Sequence, residues 1–429
     1  LLPIPLLADR LPTPFFLPIP TGLARLASEV GAEPARRPSA TRPECNRPMN
    51  ETRLRIAHFS TLHPRWDPRI RLKEMTTLSR HLGAEMALFV QDGEGDERDV
   101  EGFAVVDTGP RERSRPMGMV RGGWRMFCAV RAWKPDIAHF HDPELMPWAA
   151  LLRLGGVKVV YDVHEDLPRQ IRHSPAFPRW LRPVLPVFAT AFEWIGSRLV
   201  SGHVAATPDI AARFDPRDTV LVQNHPIVEE MHTPGRLPMA ERPNELAFIG
   251  GLSASRSLAE MLEAIARVPE PTRIAFAGWF SSETDEAAAK ASRGWQRVRP
   301  LGIVDRAAVA DLLANVRGGL ILFQPLPNNI AGRPIKLFEY MSAGLPVIAS
   351  DFPRWREIVD GAGCGLLVDS RDPAAIAAAM QWLVDHPEEG EAMGRRGREA
   401  ILERYGWDNE GAKLVEFYRR NLLAEGAVQ

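Results

Sequence analysis

Cysteine is scarce: the 429-residue chain has three, Cys45, Cys128 and Cys364, far apart and without a CxxC pair. That spacing argues against a disulfide framework or a zinc cluster and makes a reducing cytoplasm the simpler setting. Neither sign of charge is in excess, since 53 Lys and Arg face 54 Asp and Glu, for a formal net charge of -1. Duplex binders carry a basic surplus, so no nucleic-acid partner is expected. Also lacking is any apolar run of the roughly 18 to 20 residues that a bilayer-spanning helix requires. The nearest, "WLRPVLPVFATAFEWIGSRL" at 180–199, is interrupted by Pro183, Pro186 and Glu193. Its arginines, tryptophans and aliphatics fit either a segment lying in a membrane interface or an amphipathic helix packed on its own domain.

What is present is an ordinary globular composition, 45% hydrophobic and 25% charged, in a chain too long for one hydrophobic core. Two domains of roughly 150 to 200 residues are expected. Residues 1–48 stand apart, crowded with prolines and arginines, and read as a disordered or loosely helical tail rather than a signal peptide, whose apolar stretch prolines would break. Met49 stands directly before the first patterned strand and residue 1 is not Met, which leaves open that the tail is not translated.

From Arg55 onward, short apolar runs alternate with helical patterns. "RIAHFS", "EMALFV", "DIAHFH" (136–141), "KVVYDVH" (158–164) and "HVAAT" (203–207) read as strands, with "RIRLKEMTTLSRHL" among the helices between them. After a proline-bearing linker near 225–244 the pattern restarts with "ELAFIG", "RIAFAG", "GLILFQ" and "PVIAS". Aliphatic strands separated by helices predict parallel sheets covered on both faces. The fold class is therefore α/β, two Rossmann-like doubly wound domains facing a cleft, and ligands belong beyond the carboxyl ends of the strands.

"GRPIKLFEYMSAGLPVIASD" (332–351) puts a cation and an acid into an otherwise apolar helix. On a helix starting near Pro334, Leu337, Phe338 and Met341 share the inward sector, while Lys336, Glu339, Tyr340 and Ala343 take the opposite one. A helix start offers free amides and the positive end of the macrodipole to an anion. A diphosphate fits there, with Lys336 adding charge and Glu339 accepting from a ribose diol; an ordinary surface ion pair is the simpler alternative. "FIGGLSASRS" (248–257) is a second strand-to-glycine-to-helix junction. Gly250, Gly251 and Ser253 are expected to leave amides accessible there, with Arg256 at the next turn. Two such helix starts, each bearing a cation, describe a clamp on a nucleoside diphosphate.

Together these stretches carry a resemblance. "GGLSASRS", "KLFEYMSAGLPVIASD", "REIV", "GLLVDSRDPAAIAAAM" and "RYGWDNEGAKLVEFYRRNL", with "HPRWDPRIRLKE", "HFHDPELMP" and "YDVHEDLPRQI" in the first half, are similar to the GT-B glycosyltransferases of retaining family four, the group 1 glycosyl transferases. The resemblance covers most of residues 53–422. It implies an acceptor-binding domain at 49–225, a nucleotide-sugar-binding domain at 226–405 and a last helix, 406–429, returning to the first domain. By it, Glu339 matches the second glutamate of the family's Glu-x7-Glu signature, and Arg256 the residue that neutralises the leaving diphosphate. The first glutamate would fall at Ala331 and is missing, and the arginine often found after the first glycine is here Gly251. Asn328, Asn329, Arg333 and the amides near Gly332 are the substitutes available for sugar recognition. His164 matches a histidine beside the donor sugar; His63, Asp67 and Arg69 sit where acceptor contacts are expected, although Asp67 equally suits a helix cap paired with Arg69.

The implied activity is transfer of a sugar from a UDP- or GDP-sugar to a hydroxyl of a saccharide or lipid-linked acceptor, in surface polysaccharide or glycolipid assembly. The enzyme would be cytoplasmic, or peripheral on the inner membrane face through 180–199. His164, Arg256 and Lys336 are the expected catalytic groups. Nothing beyond the co-substrate is expected as cofactor, and no metal, because the loop His141, Asp142, Glu144 lacks a partner cluster. Rival readings are a GT-B-shaped epimerase using His164, Glu165 and Asp166, and an inactive nucleotide-binding scaffold. NAD chemistry is disfavoured by the lack of a GxGxxG after an early strand.

Overall fold

The computed structural model describes residues 53–98, 102–112, 114, 117–164, 167–168, 171 and 184–423. The tail at 1–48, the acidic pair Glu165 and Asp166, and residues 180–183 lie outside the described residues. One unit of the chain comprises 54–165 and 193–429, and it holds both sheets; 1–53 and 166–192 form another.

The first sheet has eight strands: β1 (Arg55–Phe59), β2 (Glu85–Val90), β3 (Glu97–Arg98), β4 (Ala104–Asp107), β5 (Ile137–Phe140), β6 (Lys158–Val163), β7 (Gly202–Ala205) and β8 (Thr219–Leu221). Their order is β3-β4-β2-β1-β5-β6-β7-β8, with only β3 antiparallel to its neighbour. The second sheet, wholly parallel, contains β9 (Glu245–Ile249), β10 (Arg273–Ala277), β11 (Val298–Gly302), β12 (Gly318–Ile321), β13 (Val347–Ser350) and β14 (Gly365–Val368), ordered β11-β10-β9-β12-β13-β14. Winding reverses between β1 and β5 in one sheet and between β9 and β12 in the other, which places a ligand crevice at the carboxyl ends of those pairs.

The sequence pattern did not single out β3, β4, β8, β11 and β14. β11 is an edge strand, "VRPLG", whose side chains are largely exposed, so no apolar run marks it. The linker around 225–244 contains two short turns of helix, Val228–Met231 and Met239–Glu241.

Each sheet is covered on both faces. On one side of the first sheet Ile56, Leu88 and Val160 pack with Leu414, Phe417 and Tyr418 from the C-terminal helix Trp407–Phe417 and the turn after it. On the other side Ala57, Phe59 and Phe140 meet Met126 and Leu145. Strand alternation explains the division, since neighbouring residues such as Ile56 and Ala57 point to opposite faces.

Helix Ile335–Ser342 corrects one expectation. Leu337, Phe338 and Met341 are buried as the spacing predicts, but so are Tyr340 (0% exposed) and Ala343 (3%). The helix lies against the sheet closely enough that Tyr340 reaches the end of β9, where its hydroxyl accepts from Ile249 N at 3.1 Å. A buried tyrosine with a partner for its hydroxyl behaves as core, which a helical wheel does not reveal.

Candidate active site

At the switch point of the second sheet, β9 is followed by Gly250, whose φ of +103° favours glycine. A side chain there would collide with Lys336, because a Cβ would lie 2.2 Å from its Nζ and 3.5 Å from Arg256 Nη1. Gly278, after β10, approaches Gly250 just as closely: its Cβ would fall 2.1 Å from Gly250 O. The loop is therefore pressed between a glycine and two cations. The Gly250 amide, expected to be accessible, instead donates to Ala277 O at 2.7 Å, because the chain continues alongside β10 for one more residue. Gly251 is buried next to exposed Trp279, and the Ser253 hydroxyl lies 2.9 Å from that of Ser255.

Arg256 closes a short turn before helix Leu258–Arg267. Among the described residues its Nη1 is buried without a hydrogen-bond partner, and the guanidinium sits 5.2 Å from the Phe323 ring centroid. Burial lowers its pKa from the ordinary arginine value. Lys336, whose Nζ is 6.0 Å from the Phe248 centroid, is pulled down to about 8 by burial and then by the Arg256 charge. Neither helix Leu258–Arg267 nor helix Ile335–Ser342 has a side-chain cap at its start. Two poorly solvated cations thus stand at uncapped helix starts, an arrangement that favours a bound anion.

Glu339, one turn on, accepts from Arg306 Nη1 at 3.2 Å; Arg306 also bonds Glu230. The Glu339 side chain retains 12% exposure, so one carboxylate face is engaged while the group still borders solvent. Arg333 bonds Gln223 Oε1 at 2.8 Å, and its Nε is buried without a partner among the described residues. Gly332 accepts from Trp355 Nε1 at 2.7 Å, and Ala331 O accepts from Arg354, which also grips Asp209 at 3.0 Å. Gln223 follows β8 and Asp209 follows β7, so carboxyl-end loops of the first sheet meet those of the second here.

The first sheet contributes a histidine network. His164, just past β6, places Nε2 2.8 Å from Asp162 Oδ2, while His141 Nδ1 lies 3.1 Å from both. His141 Nε2 lies 3.1 Å from His58 Nδ1, and His139 Nδ1 is 2.7 Å from the Tyr418 hydroxyl. Burial pulls His141 down to about 4, and His58 and His139 fall well below the usual imidazole range for the same reason. Burial opposes charge on Asp162, but Arg69 and then His164 hold its pKa well below the carboxylate range.

His63 rests against His164, with centroids 4.7 Å apart, and pairs with Asp67 at 3.0 Å. Although burial opposes both charges, this pair raises the His63 pKa and brings Asp67 down to about 2. Asp67 Oδ1 also accepts from Arg69 N and Ile70 N, at 2.9 and 3.2 Å, as a helix cap does. Arg69 is only 4% exposed and turns inward to Asp162 (3.0 Å) and Glu74 (2.9 Å). In the "HDPEL" loop Asp142 accepts from Ser60 Oγ and Thr61 N, which ties the ends of β5 and β1 together. Glu74, His139, His141 and Asp162 offer ligand-type atoms within 4.8 Å of one another, yet the Arg69 guanidinium already supplies positive charge to both carboxylates. Burial, then the charge of Asp162, raises the Glu74 pKa well above the usual range, against the pull of Arg69.

Sequence reasoning overlooked Asp162, His58, His139 and Tyr418 as parts of this network. Its signal was present, because "HFH" and "DVH" place polar groups two apart, on one face of neighbouring strands.

Two facing sets of strand ends, one with an anion-seeking pair of cations and the other with a carboxylate-held histidine, define a glycosyltransferase of GT-B fold. Residues 243–386 match the family model for glycosyl transferases group 1, and 68–227 match that for the glycosyl transferase 4-like domain. D-rhamnosyltransferase WbpZ of Pseudomonas aeruginosa is 30% identical over 272 residues, 62% of this chain and 68% of that protein. Phosphatidyl-myo-inositol mannosyltransferase of Mycobacterium leprae is 26% identical over 318 residues, 70% of this chain and 78% of its own. The solved structure of Anabaena Alr3699/HepE in complex with UDP superposes with a TM-score of 0.61 at 13% identity, covering 85% of this chain and 99% of that one. The chain belongs to the group 1 glycosyl transferases and is an enzyme of that class.

Proposed function

We propose that this glycosyltransferase moves a sugar from a nucleoside-diphosphate donor to an acceptor hydroxyl with retention of anomeric configuration, in surface polysaccharide or glycolipid assembly. One observation carries the donor assignment: Arg256 and Lys336 are both poorly solvated and both press on Gly250, at two helix starts without side-chain caps. A diphosphate satisfies both cations and the amides, and Glu339 takes the ribose hydroxyls.

As the anomeric C–O bond breaks, negative charge grows on the departing phosphate, and Arg256 and Lys336 stabilise it. Retention through a covalent intermediate needs a free carboxylate under the sugar ring. Asp162 is committed to Arg69 and His164, and Asp142 to Ser60 and Thr61, which supports same-face attack instead. In that route the acceptor oxygen bonds to the anomeric carbon while its proton passes to the leaving phosphate oxygen. His164 lies beside the transferred sugar, with Asp162 setting its ring, and His63 and Asp67 face the acceptor. Arg69 acts beneath them through Asp162.

Titration with UDP-, GDP- and ADP-sugars, followed by nucleotide release with and without a lipid-linked acceptor, tests the reading. Binding of one donor and acceptor-dependent release are expected. Failure of every nucleoside diphosphate to bind would overturn it.

A further inference from the structure

Large apolar side chains stand in solvent along one face of the first sheet's helical cover. The turn at 118–122 leads into helix Gly123–Trp133, and Met119, Val120 (63% exposed) and Trp124 project from this pair. Helix Met146–Leu154 lies against them: Trp148 Nε1 donates to Met119 O at 2.9 Å, and the Trp124 and Trp148 ring centroids are 5.7 Å apart. That helix exposes Leu151 and Leu154, the latter to 80%. Its first residue, Met146, touches Gly196 so closely that a Cβ there would fall 1.5 Å from the sulfur. Trp194 and Ile195, just before that glycine, are exposed as well.

Charge here is one-sided. From Met117 to Lys134 the sequence holds Arg121, Arg125, Arg131 and Lys134 and no Asp or Glu. Arg153 is exposed on the neighbouring helix, and Arg198 lies 3.4 Å over the Trp194 ring. Glu112, just ahead of the run, pairs with Arg125 at 3.3 Å, while Glu193 is buried and ion-paired with Arg213. A chain with formal net charge -1 thus concentrates cations where its apolar side chains are exposed.

We propose that this face docks on an anionic lipid surface, its Trp, Val and Leu side chains entering the headgroup layer while the arginines meet lipid phosphates. The surface is broader than the 180–199 segment and centres on helices that precede it. No helix among the described residues is long and apolar enough to cross a membrane. A second copy fits less well, because a two-fold pair sets a patch against itself and would bring these cations together. The inference rests on the sugar-transfer reading only for its purpose, access to a lipid-linked acceptor; docking needs neither donor nor acceptor.

The test is co-sedimentation of the full chain, without substrates, with phosphatidylcholine vesicles and with mixed phosphatidylcholine–phosphatidylglycerol vesicles. Sedimentation with the anionic vesicles alone, reversed by high salt, is expected. The Val120→Asp/Leu154→Asp and Arg121→Glu/Arg153→Glu variants should each weaken it by at least about tenfold, with melting temperature and nucleotide binding unchanged. Three results would overturn the proposal: wild-type protein staying in the supernatant with anionic vesicles, variants that sediment like wild type, or a concentration-dependent dimer broken by Val120→Asp/Leu154→Asp without vesicle binding. Vesicle binding together with a lack of nucleotide binding would overturn the sugar-transfer reading alone.

Discussion

Asp162 and His164, two residues apart, meet at 2.8 Å, and the same carboxylate takes Arg69 at 3.0 Å on its other oxygen. The histidine bordering the site is thus held by a carboxylate that a buried guanidinium keeps ionised. His141 touches both and leads to His58, so a proton added anywhere in the row is felt by all of it.

That row makes the fold acid-sensitive. His141 has a folded pKa of about 4 against an ordinary 6.5, so the unfolded chain binds the proton more readily. Stability is full above the unfolded value and is lost as pH falls from there toward 4, by on the order of 3 kcal/mol from this residue alone. His58 and His139, lowered in the same sense, add to the loss. Denaturant melts should show midpoints falling steeply below pH 6.5, and His141→Gln should flatten that slope.

Lys336, at about 8, loses its proton within reach of ordinary assay buffers. Nucleoside-diphosphate affinity, measured calorimetrically, is expected to weaken as pH rises through 8 toward 9. Lys336→Arg should remove most of this dependence, because a guanidinium stays charged throughout.

Gly250→Ala combines a disfavoured φ of +103° with a methyl group 2.2 Å from the Lys336 ammonium. The variant should lose about 1 to 2 kcal/mol of stability. Its nucleotide affinity should drop as the ammonium is displaced, and equal affinity in titrations would show that Lys336 does not reach the diphosphate.

Arg256→Ala and Glu339→Ala separate the two ends of the donor. Removing Arg256 should lower kcat by roughly a hundredfold or more, with a smaller effect on donor affinity, because its charge matters most as the phosphate departs. Removing Glu339 should weaken nucleotide binding about tenfold and leave the chemical step closer to wild type. Steady-state kinetics with isotopically labelled donor distinguishes the outcomes.

Much of this was legible along the chain. Long aliphatic strands such as β1, β6 and β9 announced two parallel sheets because burial on both faces demands continuous apolar runs. Gly250, Arg256, Lys336 and Glu339 could be put forward as candidates because the features that mark a phosphate site, a strand end, a glycine and a helix start, are local. β11 escaped notice because an edge strand need not be apolar, and Tyr340 because its partner, β9, lies far away in sequence.

By itself the sequence determined the two wound sheets and marked the glycine, cations and helix starts proposed here as a diphosphate cradle, since strand pattern and helix starts are written in neighbouring residues. Only the tertiary structure decided that Arg69 points inward to Asp162, that Tyr418 reaches across 279 positions to His139, and that Trp124, Trp148 and Leu154 share one basic, apolar face. A side chain's charge state and exposure depend on what stands opposite it, and that partner is supplied by the packing of distant segments.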